Sequence, residues 1–328
     1  VREQGAYVRQ RGKRLIVTKD RKVIEDIPLI HVDQVVIEGN VQVTVPALVM
    51  LINEGIDVVF FSSHGRYRFR VESDGSRHPV LRHTQFYRMG DEAFVLEVAR
   101  AIVLGKLANQ RTLLQRQAQH GSYALQQGIE GIAQTMIGAQ QADDLEVLRG
   151  YEGRAGAYYF AAWRELMPPG FAFHGRAFHP SPDPINALLS FAYTVMDKDI
   201  GGAIRKAQLD PYLGFFHALQ QGRLSLVLDL KEEFRPILID SMVLGLLHRG
   251  EIRPADFEWT GNEQRPVVLS EGARTLVLER YEERLQTGIV HPPTGDNTTY
   301  RGLIERQALL LRQVILGEAT GYVPMVWR

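Results

Sequence analysis

The hydrophobic period of this chain changes once, near residue 79, and that change limits the folds open to it. Before it, apolar residues come in short β-branched runs: Ala6-Tyr7-Val8, Leu15-Ile16-Val17, Val23-Ile24, Gln34-Val35-Val36-Ile37 and Val41-Gln42-Val43. Gly12, Asp20, Gly39-Asn40 and Gly55 interrupt them as turn residues do. Pro46 to Glu54 has helical spacing, with Thr44 as a cap and Gly55 as a stop. Asp57 to Phe61 reads as a buried strand. Arg66-Tyr67-Arg68-Phe69-Arg70-Val71 alternates basic and apolar residues, the pattern of a half-exposed strand. Ser73 to Pro79 is polar and turn-rich. Beyond it, apolar residues recur three and four apart. They predict a long helix over 91–120, further helix over 123–130 and 131–141, a helix from 143 to 163, one over 185–196 that 200–207 continues or follows, and helices over 237–248, 271–286 and 300–317. The pattern therefore predicts an α+β chain: a small β-rich domain over 1–76, a linker over 77–90 and a larger all-α domain over 91–328.

A length of 328 residues suits two domains. There are no cysteines, which excludes disulfides, thiolate zinc sites and a cysteine nucleophile. No apolar run is long enough to span a bilayer, and the first residues do not read as a signal peptide. The net charge is zero, so a basic surface can arise only by clustering. One cluster is Arg66, Arg68 and Arg70. Another is the long helix, where Arg100 and Arg111 lie three turns apart on one side while Lys106 and Arg116 lie on others.

Chemistry concentrates in Pro211-Tyr212-Leu213-Gly214-Phe215-Phe216-His217 and in Leu226-Val227-Leu228-Asp229-Leu230-Lys231-Glu232-Glu233-Phe234-Arg235-Pro236. Asp229, Glu232 and Glu233 are spaced i, i+3, i+4 and share one face of a continuous helix. Burying three like charges requires a counter-charge, and oxygen ligands with one imidazole suit Mg²⁺ or Mn²⁺. The same spacing also describes a solvated acidic face beside a core histidine. Upstream, Glu152 sits in a helical stretch with Gly150, Gly153 and Gly156. Each glycine costs about 1 kcal/mol relative to alanine, which points to close approach by a backbone or a ligand.

In this order, Glu152 in its glycine-rich helix, the proline-rich loop leading to Asn186-Ala187-Leu188-Leu189-Ser190-Phe191-Ala192-Tyr193, the Leu209–His217 segment and the acidic stretch resemble the CRISPR-associated endonuclease and integrase family that installs new spacers. Glu3-Gln4-Gly5-Ala6-Tyr7-Val8 at the front and Tyr300 to Gly317 with Gly321-Tyr322-Val323-Pro324 at the end extend the resemblance over nearly the whole chain. It implies that the β-rich domain serves dimerisation and the helical domain catalysis. The metal triad falls on Glu152, His217 and Glu232, with Mg²⁺ or Mn²⁺ as cofactor. Asp229 becomes an accessory group, and Glu233 a structural partner of a nearby base. Tyr193 lies near the site, where it either bonds a phosphate or water or serves as a core aromatic; Arg176 and Arg235 are placed to contact DNA phosphates.

The implied reaction is transesterification, in which a 3′-hydroxyl attacks a phosphodiester of the CRISPR repeat. The implied partners are double-stranded DNA (prespacer and leader-repeat), a second copy of the chain, and a dimer of the smaller adaptation protein. The implied setting is the prokaryotic cytoplasm, with no membrane. Some family members are fused to an upstream exonuclease or reverse transcriptase domain. Two other functions share these residues: a metal-dependent nuclease that degrades or repairs DNA without integrating it, and a non-catalytic DNA-binding scaffold.

Overall fold

The β-branched runs at the front of the chain pair as strands. In a computed structural model, which describes residues 1–32, 34–62, 67–71, 78–118, 122–177, 180–291 and 294–327, β1 (Tyr7–Gln10), β2 (Arg14–Lys19) and β3 (Lys22–Pro28) form an antiparallel meander. Asp20 and Arg21, between β2 and β3, both have positive φ (50° and 63°), as a two-residue hairpin turn requires. After β4 (Gln34–Glu38), the short β5 (Gln42–Val43) runs parallel to β1, giving the order β3-β2-β1-β5. Helix α1 (Val45–Asn53) leads to β6 (Asp57–Phe61), which is parallel to β4 and antiparallel to β7 (Tyr67–Val71). Thr44 stands at the N-cap of α1 but its side chain caps nothing; Pro46, which needs no partner for a missing N–H, fills the first turn. Val8, Leu15, Val17, Ile37, Leu51 and Val58 form the core of this unit, Val1–Arg77.

The second unit, His78–Arg328, is built mainly of helices. Its first is α2 (Pro79–Arg88), inside the segment expected to be a linker. Pro79 starts it, and the side chain of Gln85 is fully buried. That amide donates to the Asp210 and Leu213 carbonyls (3.0 and 3.1 Å) and accepts from the Asp210 N–H (2.8 Å), so α2 is anchored to the segment leading to His217.

Helices α3 (Glu92–Gln117), α4 (Tyr123–Gln140), α5 (Leu145–Arg164) and α6 (Pro184–Lys206) follow, each capped by a side-chain oxygen, from Asp91, Ser122, Asp144 and Asp183 respectively. α4 packs against α3 and α5. The close approach expected at Gly153 and Gly156 is instead made by glycines of α4. A Cβ on Gly131 would come within 2.6 Å of the Tyr158 ring, and one on Gly138 within 2.3 Å of Tyr151. A Cβ on Gly153 or Gly156 would meet nothing within 4 Å, and both residues line an open cleft.

Helix α7 (Ser225–Lys231) ends one residue before Glu232. A turn over 232–234 leads into a π-helical segment, Arg235–Asp240, and then α8 (Ser241–His248). Pro236 removes a ladder donor where the helix changes type. The acidic stretch is therefore not one continuous α-helix, contrary to its spacing. α9 (Glu271–Gln286) and α10 (Tyr300–Leu316) complete the helices, and Gly317 ends α10 in the left-handed region. Two short ladders depart from the all-α expectation: β8 (Phe257–Trp259) with β9 (Val267–Leu269), and β10 (Gly288–Val290) with β11 (Asn297–Thr299). Three-residue strands are too short to show a period. Among the described residues, no helix is long and apolar enough to cross a membrane.

Candidate active site

Glu152 from α5, His217 from the loop before α7 and Glu232 from the turn after it all line one cleft of about 830 Å³. The three carboxylates of the acidic stretch do not share a face. They separate into three environments, each with its own partners.

Asp229 is fully buried and turns toward the His217 loop. One oxygen accepts the N–H groups of Phe215 (2.5 Å) and Phe216 (3.0 Å); the other accepts the His217 N–H (2.9 Å) and contacts His217 Nδ1 (2.7 Å). A carboxylate only accepts, so Nδ1 carries a hydrogen, and in the neutral ring Nε2 then keeps the lone pair. Asp229 thus orients the imidazole from behind, the arrangement that metal-binding histidines use. The loop is held as well by Arg149, which donates to the Phe216 carbonyl (2.7 Å).

Glu233 points away from the cleft into the core. Its partner is not a base, as expected, but three neutral donors: the Tyr322 hydroxyl (2.5 Å), the Met325 N–H (2.5 Å) and the Gln307 amide (3.2 Å). Burial pushes its carboxyl up to about 7, against these donors. Asn109 of α3 reinforces the clasp. It donates to the carbonyls of Glu233 (2.8 Å) and Met325 (2.7 Å) and accepts from the Trp327 N–H (2.7 Å). The C-terminal segment is thereby stapled beside the residue that follows Glu232.

Glu232 is buried between two cations. Its Oε1 accepts from Arg235 (2.9 Å), and its Oε2 lies 2.5 Å from Lys106 Nζ. Lys106, itself buried, also bonds Glu152. Burial opposes ionisation of Glu232, but Arg235, Lys106 and the nearby His217 hold its carboxyl well below the usual range. Burial likewise opposes the charges of Lys106 and Arg235, and the carboxylates raise both.

Tyr193 also lines the cleft, but its hydroxyl donates to Asp240 (2.5 Å), which also accepts from Tyr159 (2.7 Å). Arg235 lies over the Tyr193 ring at 4.2 Å. Arg235 is therefore an internal cation of the site before it is a DNA contact. Arg176 lines the cleft and bonds Asn186 (2.8 Å) and Ser190 (3.0 Å). Arg100 donates to the Ala142 carbonyl (2.5 Å), and Arg111 is half-buried. In the first unit, Arg68 is exposed and Arg70 half-buried, while Arg66 lies outside the described residues.

Lys106, Gln85 and Asp240 were not singled out as site residues by the sequence reading. Lys106 had a signal: it lies between Val103 and Leu107, both buried, so a lysine there must meet a carboxylate. Gln85 and Asp240 carry none, since their partners are distant in sequence.

Among the described residues, no three His, Asp or Glu side chains are already drawn together as a metal cage. An ammonium occupies the gap between Glu152 and Glu232. The donor set nonetheless suits a hard divalent ion: two carboxylates, an imidazole with a free Nε2, and a buried Glu232 oxygen that has a cation beside it but no aligned hydrogen-bond donor.

The model of the family described as CRISPR associated protein Cas1 matches residues 1–283. The chain is 38% identical to CRISPR-associated endonuclease Cas1 3 of Thermus thermophilus over 330 aligned residues, covering all of this chain and 96% of that one. A chain of a solved Cas6-RT-Cas1–Cas2 complex is 25% identical, with a TM-score of 0.82; the match covers all of this chain and 35% of that longer one. A casposase bound to its integration product shares the fold at 18% identity, with a TM-score of 0.83 over 99% of this chain and 92% of that one. Sequence match and fold agree: this chain belongs to the Cas1 family of CRISPR-associated proteins.

Proposed function

We propose that this chain is a divalent-metal-dependent DNA integrase that inserts spacers into a CRISPR array, with Glu152, His217 and Glu232 as metal ligands. The observation that carries the reading is that these three residues, 65 and 15 positions apart in sequence, line one cleft. A bound Mg²⁺ or Mn²⁺ would polarise the scissile phosphate and lower the pKa of the attacking 3′-hydroxyl. Glu152 and Glu232 would hold it through oxygen and His217 through Nε2. Asp229 keeps the His217 ring in the binding tautomer. Arg235 and Lys106 face the same cleft and offer positive charge to a phosphate. Duplex DNA is bound through phosphate contacts by basic groups that include Arg66, Arg68, Arg70, Arg100, Arg111 and Arg176. The working assembly is two homodimers bridged by a Cas2 dimer; the Cas2 part of this reading is supported by the likeness to a chain solved in a complex with Cas2.

Water in place of the 3′-hydroxyl would make the same site a nuclease. A strand-transfer assay separates the two readings: a duplex with free 3′-hydroxyls, a supercoiled plasmid bearing a repeat, the purified chain and its Cas2. Covalent joining with Mn²⁺, lost with chelator and in Glu152→Gln, is the expected result. Cleavage without joining would replace integration by nuclease action, and metal-independent behaviour would remove the catalytic reading.

A further inference from the structure

Beside the proposed metal ligands the charges already pair one to one, while Arg164, Arg176 and Arg223 add positive charge to the lining of the cleft. Glu152 and Glu232 face Lys106 and Arg235. Asp197 and Lys231, which line the same cleft, pair with each other at 2.6 Å. A divalent ion would add its positive charge to a partly closed space that already holds more cations than carboxylates, next to an ammonium that occupies its place.

The two cations on Glu232 are not equivalent. Arg235 makes an aligned hydrogen bond to one oxygen and is fixed over the Tyr193 ring. Lys106 lies 2.5 Å from the other oxygen and donates to Glu152, with no aromatic ring beneath it among the described residues. Its ammonium ends a flexible four-carbon stem, whereas a guanidinium is a rigid fork. Lys106 is the cation that can leave, and the cleft it lines gives it somewhere to go.

We propose that Lys106 is the resident counter-cation of the site: its ammonium and a divalent ion compete for Glu152 and Glu232, and a DNA phosphate in the cleft relieves the competition by drawing the ammonium away. Metal and DNA then load together, and each raises the affinity for the other by the same factor. The inference rests on the metal reading above. Its consequence is that the chain without DNA is a poor metal binder, so uncontrolled hydrolysis is suppressed until substrate arrives.

The test is an Mn²⁺ titration of the full chain, followed by the electron paramagnetic resonance of free Mn²⁺. It is run with and without a 3′-hydroxyl duplex, after subtraction of ions held by the duplex alone. In the wild type the duplex should tighten Mn²⁺ binding by about tenfold or more. Lys106→Met should bind Mn²⁺ about tenfold more tightly without DNA and lose most of the DNA effect, while Lys106→Arg, whose rigid fork stays on the carboxylates, should bind Mn²⁺ more weakly than the wild type with or without duplex. Should Lys106→Met fail to fold, amine-directed labelling of the wild type decides, read by peptide mass spectrometry. Without duplex, Mn²⁺ at saturating concentration should displace the ammonium from the carboxylates and make Lys106 more reactive, and unchanged reactivity would overturn the proposal. A wild-type affinity indifferent to duplex, or a folded Lys106→Met with wild-type affinities, would overturn it too. If Glu152→Gln bound Mn²⁺ as the wild type does, the metal-ligand reading itself would fail. If Glu152→Gln lost binding while Lys106→Met matched the wild type, only the competition would fail.

Discussion

Replacing Asp229 by asparagine separates the support of the site from its ligands. Asp229 is fully buried and makes four contacts with one short loop: three backbone N–H groups and the His217 ring. Each oxygen serves two of them. Asparagine keeps the shape but turns one oxygen into an N–H₂ that cannot accept, so two donors lose their acceptor and face another donor. Hydrogen bonds to a charged group are worth roughly 1.5–3 kcal/mol each, so losing two removes about 3–6 kcal/mol. Relief from burying a charge returns part of this, leaving a destabilisation of about 2–4 kcal/mol. Against a typical stability of about 5–15 kcal/mol the protein should still fold at room temperature. The His217 ring would lose its tether, and Mn²⁺ affinity should fall by about 10–100-fold, as for other partners of metal ligands. Urea unfolding measures the first effect and Mn²⁺ titration the second. Hydrogen exchange at Phe215, Phe216 and His217 should accelerate in step. An Asp229→Asn protein within about 1 kcal/mol of wild type and with unchanged Mn²⁺ affinity would refute this account of the residue, since surface-like substitutions stay within such limits.

Neighbouring carboxylates should behave differently. Glu232→Gln should abolish strand transfer and lower the melting temperature, because Lys106 and Arg235 keep buried charges without their partner. Glu233→Gln should retain much of the activity but loosen the C-terminal clasp, seen as faster proteolysis of the tail after Val323. Glu233 also gives a pH signature. Its folded pKa is raised from 4.5 to about 7, so between those values the folded chain keeps a proton that the unfolded chain has lost. Stability should therefore fall as pH rises from about 4.5 to about 7, by on the order of 3 kcal/mol from this group, and Glu233→Gln should remove that slope. Duplex binding should weaken steeply with salt, by a log–log slope of about 0.9 per phosphate contacted, and neutralising Arg68 and Arg70 should flatten it; salt-independent binding would contradict the electrostatic reading.

Much of the fold was legible because the apolar pattern changes character: short β-branched runs between turn residues marked most strands of the first unit, and three-four spacing marked the helices of the second. The site was legible only in part. Glu152, His217 and Glu232 do line one cleft, but the reasoning from spacing put Asp229 and Glu233 on the same face as Glu232. That step assumed one unbroken α-helix. α7 stops at Lys231, and the turn and π-helical segment that follow send Glu233 into the core. Spacing carries no record of where a helix changes type, although Pro236 was a hint. The glycines around Glu152 point to close approach by a backbone or a ligand; no backbone meets Gly153 or Gly156, which leave room in the cleft for a ligand, and the packing glycines lie on α4. Arg235 is expected from the resemblance to contact DNA phosphates; its place over the Tyr193 ring depends on the α6 helix, which no local spacing records. Lys106 was legible as a lysine on an apolar face, but its two partners come from elements 46 and 126 residues away, and only tertiary packing names them.

The most direct measurement is the anomalous diffraction of Mn²⁺ in a crystal of the chain with a 3′-hydroxyl duplex. One ion should lie against the Glu152 and Glu232 carboxylates and His217 Nε2, with Lys106 Nζ withdrawn from both carboxylates and Asp229 still bonded to the Nδ1 side of the ring. An ion bound through Asp229 or Glu233, or a duplex-bound cleft with no ion and Lys106 still between its two carboxylates, would contradict the account.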